Sequence, residues 1–295
     1  MDISRSEITE YAGSLGFDDT RFAHADGALR TTDGSDTVLR DLLPDATSLL
    51  VLFKQYHPAS APPPDHIAMS AYYIASHAAY TAAKALTAHL VSHGAQALAV
   101  PMVNAKQAAL RTCGFIGDNG LFFHPQYGSL VTIQTILTDA AEPLPRADGP
   151  SACPHCGACA ATCPSGGVGD TGNCLRKHYG HIVPIHLRGD IYQLIGCERC
   201  QISCPLNSTK TSPAVAYPIA DLLAGKHTKE LKALAGSNFV RQRRMISQSV
   251  LYAAATGAHQ HLGRIRELAQ NADEPVRTHA RWAMGVLTKG TCDED

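Results

Sequence analysis

The sequence predicts an α+β chain in three parts: a layered α/β domain over residues 1–145, a cysteine-rich domain over 146–215 and a short helical segment over 216–295. Three observations predict it. Strand-like and helix-like stretches alternate through the first half, the pattern of a layered structure. Eight of the ten cysteines lie between Cys153 and Cys204. From about Ile219 onward the apolar residues recur at helical spacing. A chain of 295 residues that is 45% hydrophobic and 17% charged has an ordinary core to bury.

Each element has its own signal. Residues 4–16 read as a helix, with Ile8, Tyr11, Ala12 and Leu15 on one face and Gly16 at its end. Leu42-Leu43-Pro44-Asp45-Ala46 is a turn, and Ser48 to Tyr56 is a buried strand. Pro58 to Pro64 carries four prolines and reads as a loop. His66 to His93 is alanine-rich and predicts one long helix stopped by Gly94. Ala95 to Val103 predicts a strand, and Lys106 to Thr112 a short helix opening onto Gly114-Phe115-Ile116-Gly117-Asp118-Asn119-Gly120. Leu121 to Phe123 and Ser129 to Thr138 predict a strand pair around His124-Pro125-Gln126-Tyr127-Gly128. Pro143 to Pro150 is a linker, and Cys174 to Tyr179 predicts a helix. Two apolar faces close the chain: Ile246, Val250, Leu251 and Ala254, then Val276, Ala280, Ala283, Met284 and Leu287. They resemble one HEAT-type repeat, which cannot bury its own faces and is expected to pack on the cysteine-rich domain.

Composition excludes several classes. The formal charge of −1 leaves no global basic field, so any nucleic-acid contact needs a local patch. The dense basic run is Arg241-Gln242-Arg243-Arg244, with Lys226, Lys229 and Lys232 nearby; it reads as a phosphate contact or as a solvated helix start. No apolar stretch reaches the ~20 residues that span a bilayer. Met1-Asp2-Ile3-Ser4-Arg5 leads into a polar amphipathic segment rather than the apolar region of a signal peptide. The expectation is a cytoplasmic monomer with no membrane partner. Of the 15 histidines most stand alone, and His24, His57, His66, His77, His89 and His93 show no metal spacing.

The cysteine spacing carries the chemistry. The first run is Cys153-x2-Cys156-x2-Cys159-x3-Cys163-Pro164, and the second is Cys197-x2-Cys200-x3-Cys204-Pro205. In such a run three thiolates wrap one [4Fe–4S] cluster and the fourth, before proline, reaches the other. Cys153, Cys156 and Cys159 are thus assigned to cluster one, and Cys163 to cluster two. By the same crossing, Cys204 completes cluster one. Cluster two takes Cys163, Cys197 and Cys200, and Cys174 fills its last position. Paired C-x2-C elements also build zinc sites, but zinc does not account for the third x2-spaced cysteine or for proline after both terminal cysteines. Clustered cysteines without a secretory signal argue for metal over disulfides. Cys113 reads as a small buried residue, and Cys292, in the acidic tail, as an exposed thiol.

These motifs together resemble the bacterial epoxyqueuosine reductases and their relatives the reductive dehalogenases. The likeness runs through the helix at 4–16 and Leu42 to Ser48, then Gly114 to Gly120, Pro125-Gln126-Tyr127-Gly128 and Leu137-Thr138-Asp139. It continues through the eight cysteines and Met245 to Leu287. The resemblance implies a nitroreductase-like layered domain that binds cobalamin, a bacterial-ferredoxin-like double [4Fe–4S] module and a HEAT-like C-terminus. It places cobalamin contacts at Gly117, Asn119, Gly120, Tyr127 and Gly128. Electrons would pass from an external low-potential donor through cluster two and cluster one to cobalt. The epoxyqueuosine enzymes then remove an epoxide oxygen from a modified base of tRNA, which makes tRNA a partner.

The chain departs from the family in one stretch. A family aspartate precedes the Gly-Phe motif, and here that stretch, Leu98 to Lys106, has no carboxylate. Its polar member beside that place, Asn104, cannot act as an acid. Asp118 stands where the family has lysine. The catalytic residue is therefore unassigned, with Asp118 and Tyr127 as candidates; Asp118 beside glycine also reads as a turn residue. Tyr72 and Tyr73 on the long helix face either the cofactor pocket or the core. Two other readings stay open: a cobalamin-dependent reductase acting on another substrate or on a corrinoid partner, and a ferredoxin-like carrier without catalysis of its own.

Overall fold

The computed structural model describes residues 3–147 and 152–289. The end of the predicted linker and Cys292 lie outside them. In chain order the elements are α1 (Arg5–Ser14), β1 (Asp19–His24), β2 (Ala28–Arg30), β3 (Asp36–Val38), α2 (Leu39–Leu42), β4 (Ser48–Gln55), β5 (His66–Ala68) and α3 (Ala71–Ser92). Then come β6 (Ala97–Ala99), α4 (Ala105–Leu110), β7 (Phe115–Ile116), β8 (Phe122–Phe123), β9 (Val131–Thr138), α5 (Ala158–Ala161) and α6 (Arg199–Ile202). The chain ends with β10 (Ala216–Pro218), α7 (Ile219–Leu223), α8 (Thr228–Ala235), α9 (Gln242–Ala255), α10 (Leu262–Leu268) and α11 (Glu274–Lys289). Helix and strand are mixed, as an α+β chain requires.

The chain divides into two compact units. The first comprises Met1–Tyr56, Ala75–Cys156 and Pro205–Ser208, and the second His57–Ile74, Gly157–Cys204 and Thr209–Asp295. The cysteine-rich stretch and the helical C-terminus fall mostly together in the second.

In the first unit a four-stranded sheet runs in the order β1-β4-β9-β6, with every pairing antiparallel. β4 is its centre, and its side chains alternate as a pleated strand demands. Leu49, Val51 and Phe53 pack with Ala108, Ala109, Val100 and Phe122 on one face. Leu50 and Leu52 pack on the other with Ile8, Ala12, Ala79, Ala83, Leu86 and Leu90 from α1 and α3. The layers follow from this two-sided burial. α1 starts on a capping box: Ser4 Oγ accepts from the Glu7 backbone N–H, and Glu7 returns the bond to Ser4.

Three expectations are corrected. The long helix begins at Ala71, not at His66, because His66–Ala68 pairs with β10 inside the second unit. Leu121 to Phe123 does not pair with Ser129 to Thr138. β8 instead folds back on β7, and β9 lies between β4 and β6. The turn at Gly117-Asp118-Asn119-Gly120 makes that hairpin: Asn119 Oδ1 accepts from Leu121 N, and Gly120 N donates to Gly117 O. Cys174 to Tyr179 is not an α-helix but a 3-10 turn over Leu175–His178, where cysteine geometry overrides helical propensity. The predicted strand over Ala95 to Val103 shortens to β6, and β1 to β3 carried too little pattern to be found.

In the second unit the expected docking of the C-terminal helices is met. Leu251 and Trp282, on α9 and α11, pack against Val183, Leu187 and Ile191. His279 fixes that contact. Its ring is fully buried, its Nε2 accepts from Val183 N at 2.9 Å, and its Nδ1 lies 2.7 Å from Ser247 Oγ. Those partners fix a neutral imidazole. Burial, and next the nearby Arg188 charge, hold its pKa down to about 4 from the ordinary 6.5. The unfolded chain therefore takes up a proton near pH 6.5 that the folded chain refuses until about 4. Stability should fall as pH drops through that window, by at most about 3 kcal/mol from this group. Denaturant unfolding of wild type and His279→Gln across the window checks it: the variant's curve should be flatter, and two parallel curves would refute the assignment.

Candidate functional site: a thiol cluster in the second unit

In the second unit several cysteines gather around Cys200. The Cys200 thiol is pushed up to about 12, first by burial and then by Cys197, Cys174, Cys163 and Cys159 in its immediate field. Cys197 is likewise raised, mainly by burial, and it too feels Cys174. Cys159, Cys163, Cys174 and Cys197 thus lie in the neighbourhood of Cys200, each partly buried. Thiols that oppose one another's ionisation stay protonated until a cation binds, and a bound metal deprotonates them outright. Their number and chemistry fit an iron–sulfur cluster.

Two short helices present part of this set. α5 carries Cys159 and α6 carries Cys200, and each ends in a tight turn. Cys163 N donates to Ala160 O, and Cys204 N donates to Gln201 O, at equivalent places in the two motifs. Thr162 and Ser203 hold those equivalent places too, and their hydroxyls meet at 3.0 Å. The repeat in the sequence is thus a repeat in space, with the hydroxyl contact near its local axis. Cys153 and Cys156 belong to the first unit, and Cys159 and Cys204 to the second.

Donors surround the sulfurs. Burial pushes Cys163 up, but bonds from Ser165, Val168 and Gly167 outweigh it and its pKa is lowered. The Gly167 N–H lies 3.2 Å from Cys163 Sγ. A Cβ on Gly167 would stand 2.7 Å from the Cys174 Cα, so only glycine lets these two ligand segments touch. Cys197 is hydrogen-bonded by the Arg199 backbone and by the Tyr192 hydroxyl. Tyr192 Oη accepts from Glu198 N at 2.6 Å, which leaves its own proton for the sulfur. The Arg199 guanidinium lies over the Tyr192 ring at 5.0 Å and is held by Asp190. Glu198 is buried and bonded by Ser70 Oγ and Gln193 Nε2. Sequence reasoning missed Gly167, Tyr192 and Arg199; their signal was closeness to the cysteines, too general to single them out. Tyr72 and Tyr73, placed between pocket and core, sit in the core of this unit, with Arg176 over both rings.

The candidates in the first unit stand elsewhere. Asp118 Oδ1 is 2.8 Å from His155 Nδ1, both at the surface. His155 lies in the left-handed region at φ +52°, which costs a non-glycine residue about 1 kcal/mol. Ligand atoms of Asp118, His155 and Cys153 lie within 4.8 Å of one another. Tyr127 stacks on His124 at 4.7 Å and donates to Asp18 O, and burial with the nearby Asp18 and Asp19 charges raises its pKa. That makes it a poor acid. His124 in turn bonds Asp19 at 2.9 Å. Cys113 is buried as expected, but it is also hydrogen-bonded to His124. Asn104 caps α4, its side chain accepting from Lys106 N and Gln107 N.

The glycines assigned to cobalamin are explained by the chain itself. A Cβ on Gly117 would meet the Phe123 ring at 2.6 Å, and one on Gly128 would meet Asn207 Oδ1 at 2.2 Å. Asn119 is engaged in its turn, and Gly120 accepts from Lys106 Nζ. The basic run is also largely engaged: Arg243 pairs with Asp273, Arg244 lies over Tyr179, and Lys226 pairs with Asp221.

No family model matches the chain. It is similar to the epoxyqueuosine reductase of Synechococcus sp. (strain RCC307), at 32% identity over 130 residues, covering 39% of each. The Bacillus subtilis (strain 168) enzyme is 29% identical over 198 residues, 59% of this chain and 50% of the relative. That of Lactococcus garvieae (strain Lg2) is 27% identical over 215 residues, 63% and 59%. The matched stretches thus span less than two thirds of these relatives' length. Among solved structures, an epoxyqueuosine reductase with an epoxyqueuosine-modified tRNA-Tyr stem loop superposes at TM-score 0.77 and 21% identity, covering 96% of this chain and 90% of that one. The Streptococcus thermophilus epoxyqueuosine reductase gives 0.78 at 19% identity, covering 98% and 91%. No helix among the described residues is long and apolar enough to cross a membrane. The chain is thus similar to epoxyqueuosine reductases in sequence over part of its length and in fold over nearly all of it.

Proposed function

We propose that this chain is an iron–sulfur reductase of the epoxyqueuosine type, reducing epoxyqueuosine to queuosine in tRNA with electrons delivered through two [4Fe–4S] clusters. The observation that carries the reading is the convergence of Cys163, Cys174, Cys197 and Cys200, ringed by N–H and O–H donors. Cluster one would be held by Cys153, Cys156, Cys159 and Cys204. The nitroreductase-like, ferredoxin-like and HEAT-like divisions at 1–145, 146–215 and 216–295 belong to the same proposal. So does tRNA as partner, supported by the relatives' common name and by the stem-loop complex of the structural neighbour.

Within this reading the protein's own residues position and tune. Ser165, Gly167, Arg199 and Tyr192 give hydrogen bonds to cluster sulfurs, which favour the reduced, more negative state. Glu198 and Asp190 hold Gln193, Ser70 and Arg199 in place around them. Cobalamin, when bound, would be the terminal acceptor that the resemblance implies; the cluster chemistry stands without it.

A second reading has an observation of its own. Asn104, in the stretch where the resemblance implies an acid, is spent as a helix cap. A B. subtilis structural neighbour has its catalytic aspartate loop swung out of the active site, so a loop acid is a feature there. A chain without one fits a cobalamin-dependent reductase acting on another substrate or on a corrinoid partner. Complementation separates the two. Expressing this chain in cells deleted for their own epoxyqueuosine reductase should restore queuosine in hydrolysed tRNA, and persistent epoxyqueuosine selects the second reading. A reconstituted chain that leaves the cob(II)alamin resonance unchanged would instead leave a ferredoxin-like carrier.

Two outcomes test the cluster itself. Cys174→Ala should lose about half the iron after anaerobic reconstitution, since one of two clusters lacks its fourth thiolate; undiminished iron would remove Cys174 from the ligand set. Tyr192→Phe should keep its iron and lower one reduction potential, because an O–H···S bond is lost. Redox titration followed by paramagnetic resonance reads that shift, and an unmoved potential would sink the role given to Tyr192.

A further inference from the structure

We infer that Arg176 is a charge-tuning residue of cluster two: its guanidinium, clamped on Tyr72 and Tyr73 beside the Cys174 turn, makes that cluster easier to reduce. The inference rests on the cluster reading above and assigns a residue to it. Arg176 follows Cys174 by two positions. Leu175 between them is buried, and it opens the 3-10 turn over Leu175–His178. Lys177 N closes that turn by donating to Cys174 O at 2.8 Å. The ligand and the arginine therefore share one short, anchored piece of backbone.

Two tyrosines fix where the charge stands. The guanidinium lies 4.8 Å from the centre of the Tyr72 ring and 5.4 Å from that of Tyr73. The rings meet edge to face at 5.2 Å and make a corner for it. Arg176 also donates to the Tyr73 hydroxyl. Tyr73 is itself immobilised: it is buried in the core of this unit, with Phe239 edge-on at 4.8 Å. Its ring lies against a second ligand segment. A Cβ on Gly196, the neighbour of Cys197, would stand 2.8 Å from Tyr73 Cε2. Burial raises the pKa of the Tyr73 hydroxyl; Arg176 pulls it back and Cys174 pushes it up, so both act on it from nearby. One buried ring thus joins the Cys174 turn to the Gly196-Cys197 segment, and the guanidinium sits on that ring.

The sign of the effect follows from charge. A low-potential one-electron donor is oxidised, and the cluster held by Cys163, Cys174, Cys197 and Cys200 gains its electron and becomes more negative by one charge. Net charge around a cluster is one of the terms that set its potential. A positive charge beside it favours the reduced form, and a partly buried one is screened less by salt and water than a surface charge. Arg176 is partly buried. Arginine suits the place, because a flat guanidinium stacks on aromatic faces and keeps its charge. A lysine there keeps the charge and loses the stacking, which allows the two contributions to be told apart.

The test is a redox titration of the anaerobically reconstituted full chain, followed by paramagnetic resonance. Arg176→Met keeps the stem and loses the charge. It should lower the potential of one cluster, leave the other unmoved and hold as much iron as wild type. Arg176→Lys should recover most of the lost potential. In the Cys174→Ala background, which retains cluster one alone, Arg176→Met should move nothing. An unmoved potential in Arg176→Met overturns the inference. So does an equal drop in Arg176→Lys, which would make Arg176 a packing residue. A shift that survives in the Cys174→Ala background also overturns it, by placing the charge at cluster one. Should Arg176→Met lose iron, Tyr73→Phe decides: it keeps the ring and removes the hydroxyl that holds the guanidinium. It should lower the same potential by less, and a wild-type value overturns the inference. A wild type without any cluster signal means that the cluster reading itself has failed.

Discussion

The clustering of partly buried thiols around Cys200 is the constraint that organises the second unit. Burial, and then the neighbouring Cys197, Cys174, Cys163 and Cys159, raise the Cys200 thiol, and burial raises Cys197. A thiolate formed there loses solvation and meets like charge. A metal cluster inverts that balance by binding the deprotonated sulfurs, so its binding energy is also folding energy for the loops that hold them. Gly157 to Cys204 holds two four-residue α-helices and three 3-10 helices, a path a bound cluster would fix.

What surrounds these loops is correspondingly firm. Ile67, Met69, Leu194, Ile195 and Tyr217 form one core beneath them, and Val183, Leu187, Ile191 and Leu251 form another. Two buried polar groups in the same region are matched. Glu198 finds Ser70 and Gln193, and His279 finds Val183 and Ser247. The helical C-terminus thus acts as a brace rather than as an appendage. Its buried face meets the segment that follows Cys174, and the neutral His279 ring is the polar pin of that contact.

The legible part of the sequence was the part under the hardest constraint. Cysteine spacing obeys a motif, and the fold places Cys159, Cys163, Cys174 and Cys197 in the field of Cys200. β4 was legible because both its faces are buried, and α1 because Ser4 and Glu7 mark its start. Failures came where local pattern competes with tertiary pairing. His66–Ala68 continues the alanine-rich helix by composition, yet it is claimed by β10 across a long span of sequence. β8 and β9 look like a hairpin, but the turn chemistry of Gly117 to Gly120 folds β8 back on β7 instead. Gly167, Tyr192 and Arg199 act through distances that no spacing encodes.

The absent acid can now be placed in physical terms. Asn104 keeps the capping function an aspartate would also serve, since either side chain accepts from the first helical N–H groups. What the amide lacks is a proton to give. Asp118 is a carboxylate, but it is engaged at 2.8 Å by His155, a residue held in left-handed backbone between Cys153 and Cys156. Its position is therefore tied to the cysteine motif rather than to the α4 cap. Tyr127 is held on a carbonyl and on an imidazole, and its pKa is raised. Neither candidate replaces a loop acid in kind. A general acid must reach the substrate and release its proton there, so the identity of the substrate and that of the acid are one question. The proposed electron path is separate from it, because it rests on the cysteines around Cys200 alone.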